Sequence, residues 1–202
     1  PMRAAALCQA LYRMDPAADA AGLRAAVTDF LNRYEGAEHP DIRRNLREAR
    51  LLLCQVCEAE GDFDAAIALY RRNIEELARA GGPDILALLS HAEVNLGRLY
   101  GRQNMQAEAL AIFAALVDRF RDTPDMAVRQ NVVDALYLSA CLHAGNGKVQ
   151  ETVASLALAA DQAGGIDPAM LDADPNFAAV REDPQFRTLL EALSKAELDG
   201  DN

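Results

Sequence analysis

The sequence predicts an all-α fold, an α-solenoid of antiparallel helix pairs closed by short C-terminal capping helices. Three observations predict it. Apolar residues recur at three- and four-residue spacing through the first 163 of 202 residues, and no segment is rich in β-formers. Hydrophobic residues make up 51% of the chain, which is rich in alanine, poor in aromatics and without Trp, a composition suited to closely packed helices rather than to a β-sandwich. Finally, Gly61, Asn104 and Gly147 stand 43 residues apart, each in a polar turn between two helical patterns, the signature of a repeat array.

The 43-residue step carries much more than the turns. It takes Ala66 to Ala109 and Thr152, Tyr70 to Phe113 and Leu156, and Cys54 to Gly97 and Ala140. It takes Leu53 to Leu96 and Ser139, and Tyr34 to Leu77 and Phe120. Pro40-Asp41-Ile42 recurs as Pro83-Asp84-Ile85, and a shifted Pro124-Asp125-Met126 opens the next repeat.

Each repeat reads as two helices. A divergent first pair covers about 3–14 and 18–34, with Ala18 at the turn-glycine position and Leu23 where later repeats carry a small residue. The second pair covers about 41–60 and 63–79, the third about 83–102 and 105–120, and the fourth about 125–144 and 148–163. Proline near a helix start fits the first turn, where a missing N–H costs nothing. Glycine or asparagine between helices supplies the left-handed turn. The organisation is therefore repeats over 1–163, in units of approximately 1–39, 40–82, 83–123 and 124–163, followed by an acidic C-terminal segment over 164–202.

Two stretches resemble a known family. Leu96-Gly97-x-x-Tyr100 followed by Ala109-x-x-x-Phe113, and Gly61-Asp62-Phe63-Asp64-Ala65-Ala66-Ile67-Ala68-Leu69-Tyr70, look like the tetratricopeptide repeat (TPR) signature. The likeness covers about 3–163 and is strongest over 47–123. Two features depart from it. The family's period is about 34, leaving about nine extra residues per repeat here, placed where each first helix begins early; HEAT and armadillo repeats share the longer period but not this turn. The family's large aromatic at the fourth motif position is also replaced, by Arg50, Glu93 and Leu136.

In the C-terminal segment, Asp167-Pro168, Asp174-Pro175 and Asp183-Pro184 each place an N-cap acid before an N1 proline, so each starts a short helix. Phe177 and Val180 in one, and Phe186, Leu189, Leu190 and Leu193 in the next, form apolar faces suited to capping the last repeat.

Net charge is −11, of which residues 161–202 carry −7 from ten acids and three bases. No basic stripe exists to neutralise phosphates, so the sequence speaks against nucleic acid as a partner. No apolar run approaches a membrane span, and no charged-then-apolar leader is present, so the expected partner is not a membrane and the expected compartment is the cytoplasm. Cys8, Cys54, Cys57 and Cys141 all fall within helical patterns and read as buried thiols of a reducing compartment. Two lysines against eighteen arginines, with abundant alanine, suggest a GC-rich bacterial source.

No phosphate loop, metalloprotease motif or serine elbow occurs, and catalysis finds no support. Cys54-x-x-Cys57 has zinc or redox spacing, but His39, His91 and His143 offer no matching ligand pair, so no metal and no cofactor is expected. Cys141-Leu142-His143 is no nucleophile–base pair, because its members point apart on a helix. The function the resemblance implies is a protein–protein interaction scaffold or adaptor that binds a peptide or partner domain in a concave groove lined by its first helices. An alternative is a regulatory or docking module of a larger enzyme or signalling protein. Projecting the family's groove onto this chain gives Glu48, Leu51, Gln55 and Glu58, then His91, Val94, Asn95, Arg98 and Arg102, then Asp134, Tyr137 and Cys141. His91, Arg98 and Arg102 share one helical stripe and could receive carboxylates, so an acidic partner is the favoured kind. The lysines of the chaperone-binding clamp are missing, with Leu51 at one such place, which disfavours a chaperone co-factor role.

Overall fold

The computed structural model describes residues 2–14 and 19–200, and the side chains of these except Tyr12, Asp84 and residues 197–200. The Ala18 position expected at the first turn lies outside the described residues. The helices are α1 (Met2–Tyr12), α2 (Ala20–Tyr34), α3 (Pro40–Ala59), α4 (Phe63–Ala80), α5 (Pro83–Arg102), α6 (Gln106–Phe120), α7 (Met126–Gly145), α8 (Val149–Ala163), α9 (Pro168–Ala173) and α10 (Pro184–Gly200). No strand occurs among the described residues. The first helices α3, α5 and α7 are each 20 residues long, against 18, 15 and 15 for α4, α6 and α8.

The turn inside each pair is built the same way three times. Gly61, Asn104 and Gly147 have φ of 78°, 59° and 68°. In each case the next residue's amide reaches back five residues, Asp62 to Cys57 O at 2.9 Å, Met105 to Tyr100 O at 2.9 Å and Lys148 to His143 O at 3.0 Å. This is the left-handed closure that satisfies orphan carbonyls at a helix end. Asn104 is the one non-glycine at positive φ among the described residues. A Cβ at Gly61 meets nothing within 4 Å, so only backbone conformation opposes a side chain there. Gly61→Ala is expected to cost about 1 kcal/mol and Asn104→Gly to gain a smaller amount, read from denaturant midpoints. Equal midpoints for wild type and Gly61→Ala would show that the left-handed turn is not required.

Helix starts follow the acids. Asp19, Asp62 and Asp125 accept from Gly22 N, Ala65 N, and Ala127 N with Val128 N respectively. Met105 and Lys148 stand at the position of Asp62 and give no side-chain cap.

Close packing within a pair depends on small residues facing large ones. Ala66, Ala109 and Thr152 are fully buried, as are Tyr70, Leu156 and, to within 1%, Phe113. A Cβ on Gly97 would stand 2.4 Å from Phe113 Cε1, so glycine is what lets α5 approach α6.

The missing family aromatic has a physical substitute. Arg50 Nη1 meets Glu76 Oε2 at 2.8 Å, and one repeat on, Glu93 Oε1 meets Arg119 Nη2 at 2.7 Å. These are the same two register positions with their charges exchanged. Burial pushes the Glu93 carboxyl up although Arg119 opposes the shift. The Arg50 and Glu76 side chains are 40% and 32% exposed, so their pair contributes at most about 1 kcal/mol. Arg50→Glu should lower stability by about that amount, since it sets two acids together, and Glu76→Arg in the same chain should restore part of it, because that change also breaks the Arg72–Glu76 pair. A double mutant no more stable than the single would leave the exchanged pair without energetic meaning.

Two compact units comprise residues 1–92 and 93–202. In the first, α3 packs against α1, α2 and α4, and Cys8, Leu23, Val27, Phe30, Leu52 and Val56 form the centre of its core. In the second, α7 packs between α6 and α8, and α10 covers α8 and α9. Its core joins Ala140, Ala144 and Leu156 to Leu171, Phe177, Val180 and Phe186, so the C-terminal apolar faces cap the last pair. The three expected Asp-Pro starts cap alike: Asp167, Asp174 and Asp183 accept from Ala169 N, Asn176 N and Gln185 N, each at 2.8 Å. The middle start yields only a 3-10 turn, Pro175–Phe177, rather than a helix through Val180.

Candidate functional site

The groove residues projected from the sequence divide into three groups. His91, Arg98 and Arg102 are exposed on α5, and Gln55 is half-buried on α3. Arg98 Nη2 donates to Asn95 Oδ1 at 3.1 Å. Two of the expected positions are buried. Leu51 and Asn95 are only 3% and 6% exposed, because α3 and α5 turn these positions toward packed neighbours. In this conformation neither presents a side chain to a partner.

Tyr137 is engaged within the chain. Its hydroxyl donates to the Asp174 carboxylate, and its ring meets Phe177 edge-on at 5.7 Å between centroids. The C-terminal segment thus occupies the face of α7 assigned to a partner. Burial, then the Asp174 bond, pushes the phenol well above its ordinary range. Burial and Asp174 likewise push the neighbouring Cys141 thiol up to about 12. Burial lowers the His143 imidazole, whose buried Nδ1 has no hydrogen-bond partner. A protonated thiol beside a weak base is no nucleophile pair.

Cys54 and Cys57 are fully buried, packed as the repeat register places them, and all four cysteines are free thiols. Asn73 Nδ2 donates to Cys54 Sγ at 3.4 Å, and Arg24 Nη2 to Cys57 Sγ at 3.2 Å. Burial pushes Cys54 up to about 12. It also raises Cys57, against the pull of Arg24. Both thiols are held neutral. Among the described residues, no group of three or more His, Cys, Asp and Glu is placed to hold a metal ion, and no helix is long and apolar enough to cross a membrane.

The larger openings of the first unit lie elsewhere, around the N-terminal half of α3. A cavity of about 350 Å³ is lined by Arg43, Arg44 and Arg47 with Ile85 and Leu88 of α5. A second, of about 660 Å³, lies between α1 and α3 and is lined by Gln9, Arg13, Arg44, Asn45 and Glu48 among others. Asn45 Nδ2 is buried there without a hydrogen-bond partner. The signal was in the sequence: Arg43, Arg44, Arg47 and Arg50 are crowded into one helix start of an acidic chain. A groove projected from Glu48 onward passes over them.

No family model and no curated protein matches the sequence. Solved structures are similar in fold. A Podosopora anserina protein named for kinesin light chain nearly identical TPR-like repeats superposes with a TM-score of 0.67 at 17% identity, covering 98% of this chain and 96% of that one. A form of that protein carrying one substitution gives 0.65 at 16% identity over the same shares. The fold is therefore that of TPR-like helical repeats.

Proposed function

We propose that this chain is a protein-interaction scaffold or adaptor that binds an acidic peptide or partner domain through exposed bases on its first helices. TPR-like folds generally serve to hold other proteins, and the fold likeness spans 98% of the chain. The observation that carries the finer reading is the exposure of Arg98 and Arg102 one turn apart near the end of α5, in a chain of net charge −11. The functional division we propose keeps repeats over 1–163 and a cap over 164–202, within a divergent bacterial member of the TPR family. The free thiols of all four cysteines support a reducing, cytoplasmic setting.

Arg98 is already held by Asn95 on its own helix, so an incoming carboxylate meets a partly ordered guanidinium. Charge-assisted bonds at a desolvated site contribute about 1.5–3 kcal/mol, solvated ones about 0–1. For a partner captured from the native host and then purified, Arg98→Glu is expected to weaken binding at least tenfold, about 1.4 kcal/mol. Helicity should stay unchanged, and affinity should fall as salt rises. Calorimetry showing full affinity in the Arg98→Glu, Arg102→Glu double mutant would remove the interface from this face.

A further inference from the structure

The cavity at the start of α3 combines charge and apolar surface in a way that the α5 stripe does not. Arg43 Nε donates to the carbonyl oxygen of Ala37 at 3.3 Å, and Arg44 Nε to Glu48 Oε1 at 3.1 Å. Both guanidiniums are steadied through Nε, which leaves their terminal nitrogens as forks for an anion. Arg47, half-buried between them and a smaller cavity beside Arg50 and Glu76, has no hydrogen bond or ion pair with any described residue. A half-buried guanidinium with no ion pair to a described residue has lost part of its hydration, so an incoming carboxylate meets less competition there than on an open surface.

Glu38 and Asp41 line the same cavity, so among its described lining residues there are three bases and two acids. The starts of α3 and α5, at Pro40 and Pro83, also border it, and both are 20-residue helices whose N-terminal ends carry partial positive charge. Arg44 is already paired with Glu48, so Arg43 and Arg47 are the lining bases with no ion pair to a described residue, within a chain of net charge −11.

A simple oxyanion would not need the rest of the site. Ile85 and Leu88 give it an apolar wall, and its volume of about 350 Å³ suits a side chain plus backbone rather than a lone ion. Asp41 and Arg44 also line the 660 Å³ cavity, where Arg13 and the unpartnered Asn45 amide offer further donors. A peptide lying across the two cavities would therefore meet donors in both.

From this we infer that the Arg43, Arg44 and Arg47 cavity is a docking site for an extended acidic peptide, whose carboxylate side chains pair with the arginines while a neighbouring apolar side chain rests on Ile85 and Leu88. The inference rests on the scaffold reading but names a different site from the α5 stripe.

The probe is a fluorescein-labelled peptide of alternating glutamate and leucine, acetylated and amidated so that only side-chain carboxylates remain. Its binding to the full chain is followed by anisotropy. The Arg43→Gln, Arg47→Gln variant should lose at least tenfold in affinity, and so should Arg43→Gln, Arg44→Gln, which alters only exposed side chains and so guards against misfolding at Arg47. Replacing glutamate by glutamine, or leucine by serine, in the peptide should each cost a similar factor. Retained binding by the serine peptide would reduce the cavity to a simple anion site and overturn the inference. So would equal losses in the Arg43, Arg47 variant and in Arg98→Glu, Arg102→Glu, since that pattern marks unselective charge attraction. Loss in the α5 variant alone would also overturn it while leaving the scaffold reading intact. A wild-type chain that ignores the peptide ends the inference and leaves the α5 experiment as the test of the scaffold.

Discussion

Gly97→Ala is expected to destabilise the protein by about 1–3 kcal/mol, the usual cost of forcing extra volume into a packed core. The added Cβ would lie 2.4 Å from Phe113 Cε1 and 2.7 Å from Cζ, both atoms of a ring that is 1% exposed and has little room to swing aside. Helix propensity works the other way, since alanine is favoured over glycine by about 1 kcal/mol in a helix interior, so a net loss means that the clash wins. The fourth repeat shows how the same site accepts a methyl group: there Ala140 stands at the glycine position and Leu156 at the ring position, both fully buried. Phe113→Leu introduced with Gly97→Ala should therefore recover much of the loss, although Phe113→Leu alone destabilises by opening space. A positive coupling between the two substitutions in a double-mutant cycle is the expected result. Additive losses would mean that glycine is retained at 97 for some reason other than this ring.

How much of this was legible beforehand depends on the length scale of the forces involved. Helix positions, turn residues and the small-to-large pairing were readable because each follows from local stereochemistry repeated at one offset. Gly61, Asn104 and Gly147 share a left-handed φ for the same reason that they share a register. The charge-exchanged pairs Arg50–Glu76 and Glu93–Arg119 were visible as a departure from the family pattern, yet their meaning needed the partner helix. Surface positions were the least legible. Helical spacing placed Leu51, Asn95 and Tyr137 on an open face, but long-range packing buried the first two, and a segment 37 residues downstream took the third. The arginines at the start of α3 lie before Glu48, where the groove implied by the family resemblance begins.

Removing the C-terminal segment should have the largest effect of all. Leu171, Phe177 and Phe186 are fully buried and Val180 is 1% exposed, all within the cluster that covers Leu156, Ala140 and Ala144 of the last pair. Each large side chain so buried contributes roughly 1.5–3 kcal/mol, and a last repeat stripped of them exposes a contiguous apolar face. A chain ending at residue 165 is expected to aggregate or to melt well below the intact protein. Phe186→Ala offers a gentler version, with an expected loss of about 3–5 kcal/mol. A second readout ties the effect to the docked segment. Burial and Asp174 together keep the Tyr137 phenol protonated to unusually high pH. Removing the segment must therefore bring its ionisation back down toward the ordinary tyrosine range, visible as tyrosinate absorbance at lower pH. Asp174→Asn should lower it by a smaller step, because the buried ring would remain while the carboxylate is lost. A truncated chain that stayed monomeric, kept its melting temperature and left Tyr137 unshifted would show that the last pair stands without its cap.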